Sequence, residues 1–341
     1  MKRFPLTVQT TYADLLARLQ DDAVYSIDGA PVCHERNGRN YWYARRYVDR
    51  KQVETYIGPE TPELLERIEG MQTDVDRLKN NRKDRVKLVN MLRQAGLVAA
   101  DVQTGKILSA ISAAGAFRLR AVLIGSHAFR TYPAILGVDM LEALAATEDI
   151  DVAQFDTISV AVQDQIDPAF EEVLKTVDVF QPRPTLDRRD SPAAWRSEGG
   201  AVVELLTPML HTETDRHVHL PALQASAQPL KFLDYLIYET IPAAVLYRGG
   251  ILVNVPPPAK YAVHKLIVAT RRKDSGAKAA KDIVQAAALI RILAEDRPDE
   301  LEAAFNQAIE SGPKWKTAVK KGAKRLPKDA AKLLTSLSLD F

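Results

Sequence analysis

Asp149 and Asp151 are two carboxylates separated by a single apolar residue, in the run Asp149-Ile150-Asp151-Val152. On a strand, side chains two apart share a face, so both acids would project together while Ile150 turns into the core. Like charges held that close shift each other's pKa unless a cation sits between them. Hard oxygen donors of this kind suit Mg²⁺, which orients phosphates for in-line displacement. Upstream, an apolar run over residues 121–124 ends in Gly125-Ser126. Glycine at a strand end, followed by serine at a helix start, lets backbone N–H groups approach a phosphate closely. Either piece alone is weak, because a lone Asp-x-Asp is more often an exposed strand end or loop. Their ordered combination is the stronger signal. A third acid, Glu204, stands alone among four apolar residues in Val202-Val203-Glu204-Leu205-Leu206. Burying a carboxylate is costly unless charge or metal compensates it, which makes Glu204 the candidate third ligand. The competing reading places Glu204 on the solvent face of an edge strand.

Two further stretches concentrate positive charge. Arg36, Arg39, Arg45, Arg46, Arg50 and Lys51 are interleaved with Tyr41, Trp42, Tyr43, Tyr47 and Tyr56. On a small sheet such residues can grip nucleic acid by phosphate contacts and base stacking. The plainer alternative is a solvated hairpin with a partly buried aromatic face. Near the C-terminus, seven basic residues and no acidic ones lie between Lys314 and Lys328, among them Lys316, Lys320 and Lys321, with Trp315 nearby. This is either a nucleic-acid patch or a solvated basic helix.

The elements that must position these residues follow from periodicity and turn residues. A short helix is expected over 12–20, a turn at Asp28-Gly29, and strands over 41–48 and 52–57. From Glu63 to Gln94 the pattern is helical, with breaks at Gly70 and Asn80-Asn81, and Gly96 closes it. A helix over 104–114 ends at Gly115, and a strand over 119–124 leads into Gly125. Strands over 149–152, 157–162 and 202–206 follow, with a helix opening at Asp167-Pro168. Residues 181–196 and 208–229 read as loops. A hairpin joins 243–247 to 251–255, and helices fill the rest, broken at Gly312-Pro313 and Pro327. The expected division is an N-terminal region over 1–60, a helical connector over 61–98, a core over 99–256 and a C-terminal helical region with a basic tail over 257–341.

Length and composition set bounds. A chain of 341 residues holds one large or two to three modest domains. A hydrophobic share of 46% and a charged share of 26% are ordinary for a globular chain with a sizeable core. A net charge of +2 makes any nucleic-acid surface a local one. The single cysteine, Cys33, excludes an intramolecular disulfide and suits a reducing cytoplasm. No run approaches the apolar length of a membrane span, and the opening MKRFPLTVQTTYADLL lacks the core of a signal peptide. The histidines make no zinc pattern, and His217 and His219 read as surface residues.

The blocks GSHAFRTYP, EDIDVAQF, VVELLTP, QPLKFLDYLI, PPPAKYAVHKLIVATRR and KAAKDIVQAAALI resemble a bacterial family with the nucleotidyltransferase fold of the DNA polymerase β superfamily. The resemblance covers roughly residues 80–295. It implies an α+β fold in which a mixed sheet is flanked by helices, with a small β-rich N-terminal region and a helical C-terminal domain. It further implies that Gly125 and Ser126 grip the triphosphate and that Asp149, Asp151 and Glu204 hold two Mg²⁺ ions. The later blocks also look like abortive-infection and toxin nucleotidyltransferases. Carried over from those, Lys265 and Arg271 would touch phosphates, with Lys265 reaching the Gly125-Ser126 turn, and Lys281 and Asp282 would lie near the acceptor or the base. Two departures stand out: the interval from Ser126 to Asp149 is longer than in compact members, and Glu204 replaces the expected Asp.

Three functions follow as expectations. The first is transfer of a nucleoside monophosphate from an NTP to RNA, a tRNA-like 3′ end, gripped by the N-terminal strands with Arg45 and Arg46 and by the basic tail. The second is a nucleic-acid-binding or toxin–antitoxin partner that keeps the fold without turnover. The third is a nucleotidyltransferase acting on a small molecule.

Overall fold

A computed structural model describes residues 2–25, 30–48, 51–71, 75–143, 149–157, 164–185, 187, 189–209, 216–272 and 276–336. The chain begins with a helix, Leu6–Tyr25, longer at both ends than the 12–20 expected. It buries Tyr12, Leu15 and Leu19, and the Tyr12 hydroxyl accepts from the Ala244 amide at 3.0 Å. Then β1 (Ala30–Arg36), β2 (Arg39–Val48) and β3 (Lys51–Pro59) form an antiparallel sheet. The strand β1 had no sequence expectation, since its side chains are mostly exposed and its alternation is weak. The Asp28-Gly29 turn lies outside the described residues. Helices Pro62–Met71 and Val75–Gln94 follow. Asn80-Asn81 does not break the second, because Asn81 bonds to Arg18 and Asp22 of the first helix.

The central sheet takes β4 (Val122–Ile124), β5 (Asp149–Ala153), β8 (Val202–Pro208), β10 (Ala225–Leu230) and β9 (Val218–Leu220) in that spatial order. β5, β8 and β10 are mutually parallel, whereas β4 and β9 run antiparallel to their neighbours. β7 (Ala194–Ser197) flanks the first half of β8, and β6 (Phe180–Pro182) pairs with β7. Residues 181–196 and 208–229 are therefore not wholly loops. Their strands span three to six residues and are interrupted by prolines, too short for periodicity to show. The strand into Gly125 starts at Val122 rather than 119, after a run of turns. Most of the 157–162 segment lies outside the described residues. Pro168 sits two residues before its helix, Phe170–Lys175, so it does not open it.

The hairpin β11 (Ile241–Val245) and β12 (Ile251–Val255) precedes a helical bundle of Pro258–Arg271, Gly276–Asp296, Pro298–Glu310, Pro313–Ala323 and Lys328–Ser336. The fold is thus α+β: N-terminal strands, a mixed central sheet and a C-terminal bundle. No helix among the described residues is long and apolar enough to cross a membrane.

One contact within the bundle sets helix backbone on helix backbone. A Cβ on Gly322 would lie 2.4 Å from the Leu266 carbonyl oxygen, so the Pro313–Ala323 helix seats directly on Pro258–Arg271. Gly→Ala in an ordinary helix stabilises by about 1 kcal/mol. At this crossing Gly322→Ala should instead destabilise the full chain by about 1–3 kcal/mol, measured by denaturant unfolding. A neutral or stabilising result would mean that the two helices separate at no cost.

Candidate active site

Alternation along β5 and β8 sorts their side chains. Ile150, Val152, Val203 and Leu205 are fully buried on one face, each contributing about 1.5–3 kcal/mol by leaving water. That anchoring turns Asp149, Asp151 and Glu204 to the other face, where all three are half-buried. Asp151 and Glu204 are register partners on adjacent parallel strands, so their Cα atoms stand about 5 Å apart. Ile124 is the register partner of Asp151 on its other side, which brings the Gly125-Ser126 turn to the acid pair.

Gly125 is required twice over. Its φ is +66°, and a Cβ there would lie 2.1 Å from Asp151 Oδ2. The turn leads into a helix, Gly125–Phe129, that is clamped by an aromatic trio. Phe129, Tyr132 and Tyr261 pack with ring centroids 5.1–6.0 Å apart, and the Tyr261 hydroxyl donates to the Gly125 carbonyl at 2.8 Å. Ser126 is buried behind the turn.

Lys265 lies one helical turn beyond Tyr261, its ammonium over that ring at 5.2 Å. It donates to Asp282 Oδ1 at 2.7 Å, while Arg272 Nε donates to Asp282 Oδ2 at 2.6 Å. Asp282 is fully buried and satisfied by these two cations. It positions them and is closed to a base or acceptor. It is thus Tyr261 that contacts the Gly125 carbonyl, with Lys265 held just behind. Lys281 is half-buried, and loss of water lowers its pKa. Arg271 points elsewhere, its guanidinium 5.1 Å from the Phe232 ring.

Sequence reasoning missed Arg272, Tyr261 and Arg183. Arg183 follows β6 and donates to Glu204 Oε1 at 3.1 Å, supplying a counter-charge to that acid. Only the exposure of several arginines in a proline-rich stretch hinted at it. For Asp151, removal from water is the main cause of a pKa pushed up to about 7, with Glu204 and Asp149 adding to the rise. Lys265 and Arg272 pull it back down, so both cations act on the carboxylate through space. Among the described residues no three His, Cys, Asp or Glu side chains are gathered tightly enough to enclose an ion. Three carboxylates on one sheet face, one of them with its pKa raised by burial and by the others, are nevertheless a donor set that fits a hard divalent cation.

The remaining sequence candidates fall in two places. In the N-terminal sheet, Arg45 pairs with Glu54 at 2.7 Å, Arg36 with Asp167, and the Tyr43 hydroxyl donates to Asp167 at 2.6 Å. Tyr56 and Arg118 both donate to the buried Asp164, at 2.5 and 2.6 Å. Arg36, Tyr43 and Tyr56 of this set therefore dock the small sheet on the core, while Arg45 pairs within the sheet; the Arg46 side chain lies outside what is described. In the bundle, Lys314, Lys316, Lys320 and Lys321 stand on the Pro313–Ala323 helix without an ion pair among the described residues. Trp315 of that helix packs edge-on against Phe232 and Tyr235.

The site thus joins a mixed sheet, paired acids on one strand, a third acid beside them and a glycine turn against them. Residues 102–310 match the family described as Nucleotidyltransferase, and the chain belongs to that family. Residues 9–67 match a second family, described only as a domain of unknown function. No curated protein matches the chain. Among solved structures, it is similar to an antigenic nucleotidyltransferase-like protein from Paracoccidioides brasiliensis, with 17% identity, covering 66% of this chain and 95% of that one, at a TM-score of 0.32.

The position of Asp151 sets a pH dependence. Between the ordinary carboxylate range and about pH 7 the folded metal-free chain keeps this proton while the unfolded chain has released it. Its contribution to stability therefore falls as pH rises through that window. Asp151→Asn should raise the thermal midpoint of metal-free protein at pH 8 and leave it near the parent value at pH 5. Mg²⁺ should raise the parent's midpoint more at pH 8 than at pH 5, and the variant's little at either. Parallel midpoints for parent and variant across this range would refute the assignment.

Proposed function

We propose that the chain transfers a nucleoside monophosphate from an NTP to the terminal hydroxyl of an RNA acceptor. The observation that carries this reading is the set Asp149, Asp151 and Glu204 on one sheet face, with Asp151 pressed against Gly125. Those three carboxylates would hold Mg²⁺, two ions by resemblance, which when bound neutralises the triphosphate and polarises the α-phosphate. Backbone N–H groups at Gly125 and Ser126 bind the outer phosphates, and Lys265 with Arg272 supplies positive charge from the helical side. Arg183 gives up Glu204 as that acid turns to its ligand role. The acceptor hydroxyl attacks the α-phosphorus, the bond to the β-phosphate oxygen breaks, and pyrophosphate leaves. The hydroxyl proton passes to an ionised carboxylate of the set.

Support for RNA comes chiefly from the lysines of the Pro313–Ala323 helix, because Arg36 and Arg45 of the N-terminal sheet are already paired with Asp167 and Glu54. The order Lys265, Arg271, Lys281-Asp282 is what makes the chain resemble toxin-type nucleotidyltransferases, and a cognate antitoxin belongs with that reading.

Incubating the protein with each labelled NTP, Mg²⁺ and total cellular RNA should place label on RNA. Asp149→Asn with Asp151→Asn should lower transfer more than about 100-fold, since even changing the groups that orient a metal's ligands costs about 10–100-fold. Label confined to low-mass products would move the small-molecule acceptor ahead. Absence of label with every NTP, and Mg²⁺-independent RNA binding, would favour the partner without turnover.

A further inference from the structure

We propose that the groove between the Pro313–Ala323 helix and the segment following β10 is the track for a single-stranded stretch of the RNA acceptor. This rests on the reading above and assigns its polymer to a surface. The groove encloses about 1150 Å³, more than one drug-sized ligand fills, and it is open along its length. Four cations line it: Lys231, Arg271, Lys314 and Lys321. Phe232 and Trp315 form part of its wall. Asp234 is the acidic residue among the lining side chains, so the balance of charge favours a polyanion.

Helix geometry makes the lining selective. Lys314 and Lys321 are seven residues apart, two turns, on one face about 10 Å from each other. Lys316 and Lys320 are offset from that face by well over a quarter turn and do not line the groove. All four lack an ion pair among the described residues, so only their placement separates the two pairs. Opposite them, Phe232 holds a left-handed backbone, φ 69°, which costs a residue with a side chain about 1–2 kcal/mol. Strain of this kind persists where the surroundings enforce it, and it collects at binding sites. Here it sets the Phe232 ring between the Arg271 guanidinium and the Trp315 indole, whose centroid lies 4.5 Å away. Both rings stay partly exposed. Cations alternating with ring faces and edges match a chain of phosphates and unpaired bases.

The chain links the groove to the carboxylates at two points. Met209, directly beyond β8, lines it, five residues from Glu204 and so about 17 Å along the strand. Arg271 lines it and is the neighbour of Arg272, which Asp282 holds beside Lys265. A strand of several nucleotides reaches from one to the other, whereas a mononucleotide does not.

Fluorescence anisotropy of a labelled oligouridylate 12-mer with the full chain tests this, without turnover. Lys314→Ala with Lys321→Ala should weaken binding about tenfold or more and reduce the slope of log K against log salt by about 1.4, two phosphate contacts on a single strand. Lys316→Ala with Lys320→Ala removes the same net charge and should change affinity less than about twofold. Trp315→Phe should weaken binding without altering the salt slope. NTP affinity should be unchanged in all three. If the two lysine pairs cost the same, the attraction is diffuse and the track is wrong. If an acidic peptide of equal charge binds as tightly and with the same variant sensitivity, the groove receives a protein instead. Loss of nucleotide transfer with oligonucleotide binding intact would overturn the enzymatic reading and leave the groove standing, so the two failures read differently.

Discussion

Strand alternation is the constraint on which the carboxylate site depends. Four aliphatic side chains on β5 and β8 can leave water only by pointing to one face, and their burial outweighs the repulsion that gathers three acids on the other. The acids are therefore assembled by the core. The register of β5 against β8, rather than any contact among the acids, places Glu204 beside Asp151. A one-residue slip would send the carboxylates inward and the aliphatics out, so the register is strongly specified.

The cationic side is built on a different principle. Asp282 is a fully buried acid sharing its two oxygens between Lys265 and Arg272. Such a cluster adds little to stability relative to a packed apolar one, but removing one partner leaves an uncompensated charge. What it supplies is direction: two long, flexible side chains are held in one arrangement facing Asp151. Tyr261 then links that helix to the Gly125 carbonyl, so the phosphate turn, the acids and the cations are joined through a few direct contacts.

How much of this was legible in the sequence varied with the range of the interaction. The Asp149–Asp151 pair, the Gly125 turn and the lone Glu204 declare themselves within a few residues, as do the bundle helices with their proline and glycine breaks. The α+β class followed from the same local signals together with the family resemblance. Arg183 and Arg272 did not declare themselves, because each owes its position to a partner 10 to 21 residues away across a fold boundary. Asn80-Asn81 read as a break because local propensity knows nothing of the Leu6–Tyr25 helix that binds it. The basic and aromatic N-terminal strands show the reverse error of emphasis. Their composition suggested an outward grip, yet Tyr43, Tyr56 and Arg36 turn to Asp164 and Asp167 of the core.

The seat of Gly322 on Leu266 has a consequence for scale. With no side chain between the two helices, the lysine helix sits directly on the helix that carries Lys265 and Tyr261, and Tyr261 bonds to the Gly125 carbonyl beside the carboxylates. On the acceptor proposed above, the fold would act as a ruler. The length of polymer touching both groove and carboxylates would depend on the crossing of these two helices, and a single methyl group there would be enough to change it.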